Sequence, residues 1–247
     1  MAKPTLVGLA YSPWTQRARW ALDHHAIAYD FKHYLPTVGE PMLRLKTGNF
    51  FGRISVPVLI TPHGVVTDSL SIARHADSVG RGSKLVDGQD EAVVKWIADA
   101  EVALDAARGL VIRAISASPR AQEESVPLPL PLALKRPLAR FGAATLARKW
   151  KAQLSESEAE GRMATVLEKL RTALGGKSDG YITGTFSFSD VAMAGVVQAI
   201  LPVADRWVHL KPATREAWTR PALAARFADL VSWRDFLYEK HRTSKAA

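Results

Sequence analysis

The sequence predicts an α/β unit over residues 1–80, then an all-helical region, and three observations carry that reading. Short apolar runs alternate with helix-period segments up to Gly80. A proline-led apolar run and a Thr61-Pro62-His63-Gly64 turn mark a strand pair within that unit. Beyond Gly80 the apolar residues recur only at helical spacing.

The first strand is expected from Thr5 to Ala10, a run suited to a buried position. A proline turn follows, then a helix from Thr15 with Ala18, Leu22 and Ile27 on its apolar side. Tyr29 and Phe31 alternate with Asp30 and Lys32, as a second strand would. A loose or helical connection containing Gly39, Pro41, Gly48 and Gly52 leads to Pro57-Val58-Leu59-Ile60, the third strand, whose proline is tolerated as its first residue. Val65-Val66-Thr67 returns as the fourth strand, and Asp68-Ser69 opens a helix with Leu70, Ile72, Ala73 and Ala76. The order is βαβ-α-ββα.

Arg81-Gly82-Ser83 and Asp87-Gly88 read as a linker over 81–90, leaving 91–247 as the helical domain. Its first helix is expected from about Glu91 to Ala117, with a seam of Val93, Ile97, Ala100, Leu104, Ala107, Val111 and Ala114, ended by Pro119. Further helices are expected over 138–174, with a break near Ser155, over 187–200, and over 221–238. The alternating prolines of 126–132 exclude a continuous helix there and predict an extended or turning insertion.

The chain contains no cysteine, which excludes disulfides, thiolate metal sites and chemistry on a protein thiol. Its 7 histidines form no HxxxH-type pair with nearby carboxylates, so no metal is expected. The N-terminus lacks the apolar run of a secretory signal, no stretch is long and apolar enough for a membrane span, and a cytoplasmic location is the default. The formal net charge is +9, and no Asp or Glu occurs from Ser125 to Leu154, where Lys135, Arg136, Arg140, Arg148, Lys149 and Lys151 stand. A solvated face is the plain reading of that block. Contact of 126–151 with a membrane surface is the sharper one. No nucleic-acid motif or aromatic platform accompanies the charge, and no nucleic-acid partner is expected.

Short motifs then fall in a recognisable order. Ser12-Pro13-Trp14-Thr15-Gln16-Arg17-Ala18-Arg19 resembles the first helix entry of glutathione transferases, in the Ser-Pro-Phe form of the tau class and the Cys-Pro-Phe form of the omega class. Val56-Pro57-Val58-Leu59 is similar to the family's Val/Ile-Pro-x-Leu segment with its cis-proline. Asp68-Ser69 resembles its acidic-Ser pair before an Ile-containing helix, and Ser187-Phe188-Ser189-Asp190 its Ser-x-x-Asp box. The resemblance spans both halves and weakens over 119–155 and the last forty or so residues.

The resemblance implies a thioredoxin-like N-terminal domain, glutathione as co-substrate, a hydrophobic electrophile held against the helical domain, and a homodimer. It also assigns residues. Ser12 is the expected hydrogen-bond donor to the glutathione thiolate, with Tyr11 beside it as the rival, since other classes use a tyrosine there. Val56 and Pro57 would present backbone to the tripeptide, and Asp68 and Ser69 would hold its γ-glutamyl end. Physical chemistry supports the placement, because amides at a helix N-terminus favour a thiolate. Capping explains Ser12, Asp68 and the Ser187–Asp190 box equally well, and the box is read as structural. The family's Lys or Gln two residues before the proline is replaced by Ser55, and Arg53, Lys46 or Arg44 could reach the glycine carboxylate instead. Without cysteine, omega-type thiol transfer is excluded, and conjugation or related thiolate chemistry remains. Trp14 and the aromatics of the last helix are candidates for the apolar pocket. A non-catalytic binding or assembly module of the same fold is the competing expectation.

Overall fold

The computed structural model describes residues 3–35, 39–86, 91–126, 131–150 and 154–242. A sheet in the order β2-β1-β3-β4 forms from β1 (Thr5–Gly8), β2 (Asp30–His33), β3 (Val58–Thr61) and β4 (Gly64–Thr67). β1 runs parallel to β2, and β1–β3 and β3–β4 are antiparallel, with Thr5 opposite both Asp30 and Ile60 and Val58 opposite Thr67. Helix α1 (Pro13–His24), α2 (Glu40–Thr47) and α3 (Ser69–Val79) complete the predicted βαβ-α-ββα unit, a thioredoxin-like domain. The connection expected to be loose or helical contains α2.

The inner strands β1 and β3 are apolar because one side faces α1 and α3. Leu6, Leu59, Ala18, Leu22, Ile72, Ala73 and Ala76 are at 0% exposure in one continuous core. Removing each large side chain from water contributes roughly 1.5–3 kcal/mol. The opposite face buries Val7, Tyr34, Leu43, Ile54 and Val58 under α2. Gly8 allows α1 to close on β1, since a Cβ there would stand 2.5 Å from Thr15 Cγ2.

The chain continues through α4 (Glu91–Ala117), α5 (Pro119–Glu124), α6 (Leu132–Lys149), α7 (Glu156–Leu174), α8 (Phe188–Gln198), α9 (Pro212–Trp218), α10 (Pro221–Arg226) and α11 (Ala228–His241), with no strand among the described residues of this region. Of the predicted seam of α4, Val93, Ala100, Leu104, Ala107 and Val111 are buried and Ile97 and Ala114 half-buried, and the helix packs on α7 and α8. Helix α8 is buried along its whole length. At its start Ser187 and Asp190 form the expected capping box, and Asp190 also accepts from the Ile182 amide at 2.9 Å.

The helix bounds differ from the sequence reading in several places. The stretch expected over 138–174 divides into α6, which begins already at Leu132, and α7, whose start is fixed by a Ser155–Glu158 capping box. The last helix is interrupted at Phe227, which sits at φ −115 and ψ 36 and buries its ring at 0% exposure; the bend that seats this ring divides α10 from α11. Pro119 ends α4 but also starts α5, as proline can at a first helical position. Helix α9 was not anticipated. Of the proline-rich insertion, residues 127–130 lie outside the described residues. No helix among the described residues is long and apolar enough to cross a membrane.

Two buried arginines are among the contacts that hold α1 against the helical region. Arg17 is 1% exposed and donates to Glu101 of α4 and to the Ala192 carbonyl of α8 at 3.3 Å. Arg242, past α11, pairs with Asp23. The N-terminal end of α1 is thereby set facing the middle of α4.

Candidate functional site

Ser12 occupies the N-cap position of α1 in an extended conformation, φ −70 and ψ 128, with Pro13 at the first helical position. Its carbonyl accepts from the Gln16 amide at 2.9 Å and its amide donates to the Leu9 carbonyl at 2.9 Å. Its hydroxyl makes no capping hydrogen bond. The expected cap is therefore present in backbone only, and the hydroxyl takes no part in it. The amides of Trp14 and Thr15, in the first turn, have no partner among the described residues. A free hydroxyl and free amides at the positive end of a helix dipole make a place for an anion.

Tyr11, half-buried beside it, packs edge-on against Trp218 of α9 with centroids 6.3 Å apart. Burial pushes its phenol up from its ordinary value, so it remains a neutral hydroxyl. Both Ser12 and Tyr11 are thus neutral donors at the same turn.

The Val56–Pro57 bond is cis. The N–H and C=O of half-buried Val56 find no hydrogen-bond partner among the described residues, so an unpaired backbone pair precedes β3. Asp68 is the N-cap of α3, its carboxylate accepting from the Ser71 amide at 2.8 Å and the Ser71 hydroxyl at 2.9 Å. Its φ of 62 with ψ of 156 is a conformation glycine adopts readily and aspartate does not. That geometry leaves Asp68 exposed and presents the adjacent Ser69, 6% exposed, at the first turn of α3. Capping and ligand contact are both compatible with it.

The cations named for the far end of a tripeptide separate clearly. Arg44 is consumed by its own loop, donating to the carbonyls of Asn49, Phe50 and Gly52 at 3.1, 2.8 and 3.0 Å and to Glu40 at 2.6 Å. Lys46 is exposed on α2. Arg53 is exposed, with its guanidinium 4.6 Å from the ring centroid of Trp150.

The helical region adds residues that the motifs did not indicate. Arg108 of α4 lies 3.8 Å from the Trp150 centroid and 4.6 Å from that of Trp14. Burial, with the nearby Arg53, lowers its pKa to about 10 against the opposing pull of Glu101. Glu101 accepts the indole N–H of Trp14 at 2.7 Å. Next to Trp150, Lys149 donates to the Ile54 carbonyl at 3.0 Å and pairs with Glu40 at 3.5 Å. Arg53, Trp150, Arg108 and Trp14 thus run from the loop before β3, across the end of α6, to the first turn of α1. In the sequence these were isolated basic and aromatic residues; only the end of α6 folding back onto both units brings them together.

Residues 6–83 match the family model of the glutathione S-transferase N-terminal domain. Over this N-terminal unit the chain is similar to the glutathione S-transferase family. No curated protein matches the chain. Among solved structures, a glutathione S-transferase of Ceriporiopsis subvermispora in complex with glutathione is 17% identical, with a TM-score of 0.61 and 100% of both chains covered. A tau-class glutathione S-transferase of mango, Mangifera indica, is 15% identical at a TM-score of 0.56, covering 97% of this chain and 90% of that one. A glutathione S-transferase of Methylobacillus flagellatus with glutathione bound is 18% identical at 0.53, with 96% of each covered. At these identities the structural likeness speaks for the fold, and it extends through the helical region. Among the described residues, no group of three or more His, Asp or Glu is gathered as a metal ion would require.

Proposed function

We propose that the chain is a glutathione transferase in which Ser12 holds the thiolate of glutathione at the N-terminus of α1. The observation that carries this is the Ser12 hydroxyl, unused as a cap, beside the free first-turn amides of Trp14 and Thr15. The thiol loses its proton to solvent, and the anion is stabilised by the Ser12 O–H and the positive helix end. The sulfur attacks an electrophilic carbon, a carbon–sulfur bond forms, and the leaving group departs with its electron pair. Ser12 stays neutral and forms no covalent bond.

The remaining residues would hold the tripeptide. Val56 would exchange its free N–H and C=O with the cysteinyl backbone, as an added strand does. Pro57 would fix the turn that presents them. Ser69 and the α3 amides would bind the γ-glutamyl carboxylate while Asp68 meets the ammonium group. With Arg44 tied into its own loop, Arg53 would reach the glycine carboxylate, with Lys46 as the alternative. The hydrophobic electrophile would lie between Tyr11, Trp14 and the α4–α9 wall, and Tyr11 is the alternative donor. The domain division at 80 and 91, a homodimer, a cytoplasmic location and a role in detoxification belong to the same reading.

Retention on immobilised glutathione with conjugation of a generic aryl halide is the expected outcome for the purified chain. A non-catalytic binding module is the second reading, favoured by Ser55, where the family often has a Lys or Gln. Retention without conjugation of any aryl halide or epoxide would select it.

A further inference from the structure

Helix α6 turns one row of alanines inward. Ala139 is 4% exposed, with Ala143 and Ala147 half-buried on the same side, whereas Leu134 (62%), Leu138 (40%) and Phe141 (62%) face solvent. Those three stand at i, i+4 and i+7, one outward stripe, and Leu132 adds a further exposed side chain at the helix start. Large apolar side chains grouped on one helix face mark a surface that meets something other than water.

Cations border the stripe. Arg148 continues it one heptad beyond Phe141, and Arg140 flanks it. Arg136 is paired with Glu123 at 2.8 Å and Lys149 with Glu40, but Lys135, Arg140 and Arg148 have no ion pair among the described residues. No acid occurs between Ser125 and Leu154. The helix is also fixed in place, by Arg136–Glu123 near its start and by Lys149–Ile54 and Trp150–Arg108 at its end. The face is presented already folded, so docking requires no ordering of α6.

We propose that α6 docks on an anionic phospholipid surface, with Leu134, Leu138 and Phe141 entering the headgroup–acyl boundary and Arg140 and Arg148 meeting lipid phosphates. Both parts of the face are used by this occupant and by no simpler one. A second copy across a two-fold axis would gather the Arg140 and Arg148 of both helices into one contact with no acid on either α6, and such crowding of like charge is unfavourable. A nucleic acid would engage the cations and leave the apolar stripe in water. Lipid meets both.

Sedimentation of the full chain with vesicles of phosphatidylcholine alone, and of phosphatidylcholine with about one-third phosphatidylserine, tests this. Binding is expected only to the phosphatidylserine vesicles, weakened by raised salt and reduced at least ~10-fold in a Leu138→Asp/Phe141→Asp variant. An Arg140→Gln/Arg148→Gln variant, altered only at exposed charges, should weaken it as well and keeps the test open if the first variant does not fold. No binding to phosphatidylserine vesicles at low salt overturns the proposal, as does binding unaffected by both variants. So does a Leu138→Asp/Phe141→Asp chain that merely turns from dimer to monomer while the wild type ignores vesicles. RNA binding lost in the arginine variant, without vesicle binding in the wild type, overturns it too.

Discussion

Glu101 Oε2 accepts the indole N–H of Trp14 at 2.7 Å while its other oxygen is held by the buried guanidinium of Arg17. One carboxylate on α4 therefore fixes the first and second turns of α1, the helix whose N-terminus carries Ser12. Burial lowers the pKa of Arg17, and Glu101 opposes that shift.

Glu101→Gln leaves Arg17 without its counter-charge at 1% exposure. A fully buried pair broken this way costs about 3–5 kcal/mol. Because the Glu101 side chain is 44% exposed, the expected loss is smaller, about 2 kcal/mol after allowing for solvent screening. Denaturant unfolding measures it. An unchanged midpoint would show that the pair does not hold the two units together.

Asp190 predicts a pH dependence. Burial pushes its carboxyl up to about 6 from 3.8, against the amides of Ile182 and Ser187 that favour its charged form. The native chain thus retains a proton that the unfolded chain has released. This contribution to stability is complete below 3.8 and is lost as pH rises through about 6, a change of roughly 3 kcal/mol. Asp190→Asn cannot titrate. The stability difference between wild type and Asp190→Asn should therefore be larger near pH 4 than near pH 7, read from paired urea titrations; a constant difference would contradict it.

Trp150→Ala removes the ring on which Arg53 and Arg108 rest. Each cation–π contact is worth about 0.5–2 kcal/mol. Limited trypsinolysis should then cut after Arg148 and Lys149 several-fold faster, with the remaining helices protected. Equal cleavage rates in both proteins would mean that the stack does not anchor α6.

Asp68→Asn separates capping from charge. Asparagine retains the acceptor that meets the Ser71 amide, so stability should change by less than about 1 kcal/mol. Loss of the charge should weaken glutathione binding roughly 10-fold, as expected for one ion pair of about 1.4 kcal/mol. Calorimetric titration with glutathione measures this, and an unchanged affinity would remove Asp68 from the ligand site.

The N-terminal unit was legible because its signals are local. Apolar strands, Pro13 after Ser12, Pro57 before β3 and Asp68 at a helix start each act within a few residues. The α4 seam was legible for the same reason. The division at Phe227 was not, since a buried ring and not a proline or glycine imposes it. The Arg53–Trp150–Arg108–Trp14 stack was also hidden, because its members are brought together only by tertiary packing. The outward stripe of α6 was hidden as well: a helix was expected only from residue 138, and the structure shows it starting at Leu132 with Leu134, Leu138 and Phe141 outward and Ala139 inward.

The thiol pKa of bound glutathione tests the central claim most directly, followed through thiolate absorbance across a pH titration. The wild type should hold it at least one unit below free glutathione, and Ser12→Ala should raise it by about 1–2 units, the worth of a hydrogen bond to a charged group. Tyr11→Phe should leave it in place. A thiol pKa unmoved by Ser12→Ala, or one raised by Tyr11→Phe instead, would contradict the account.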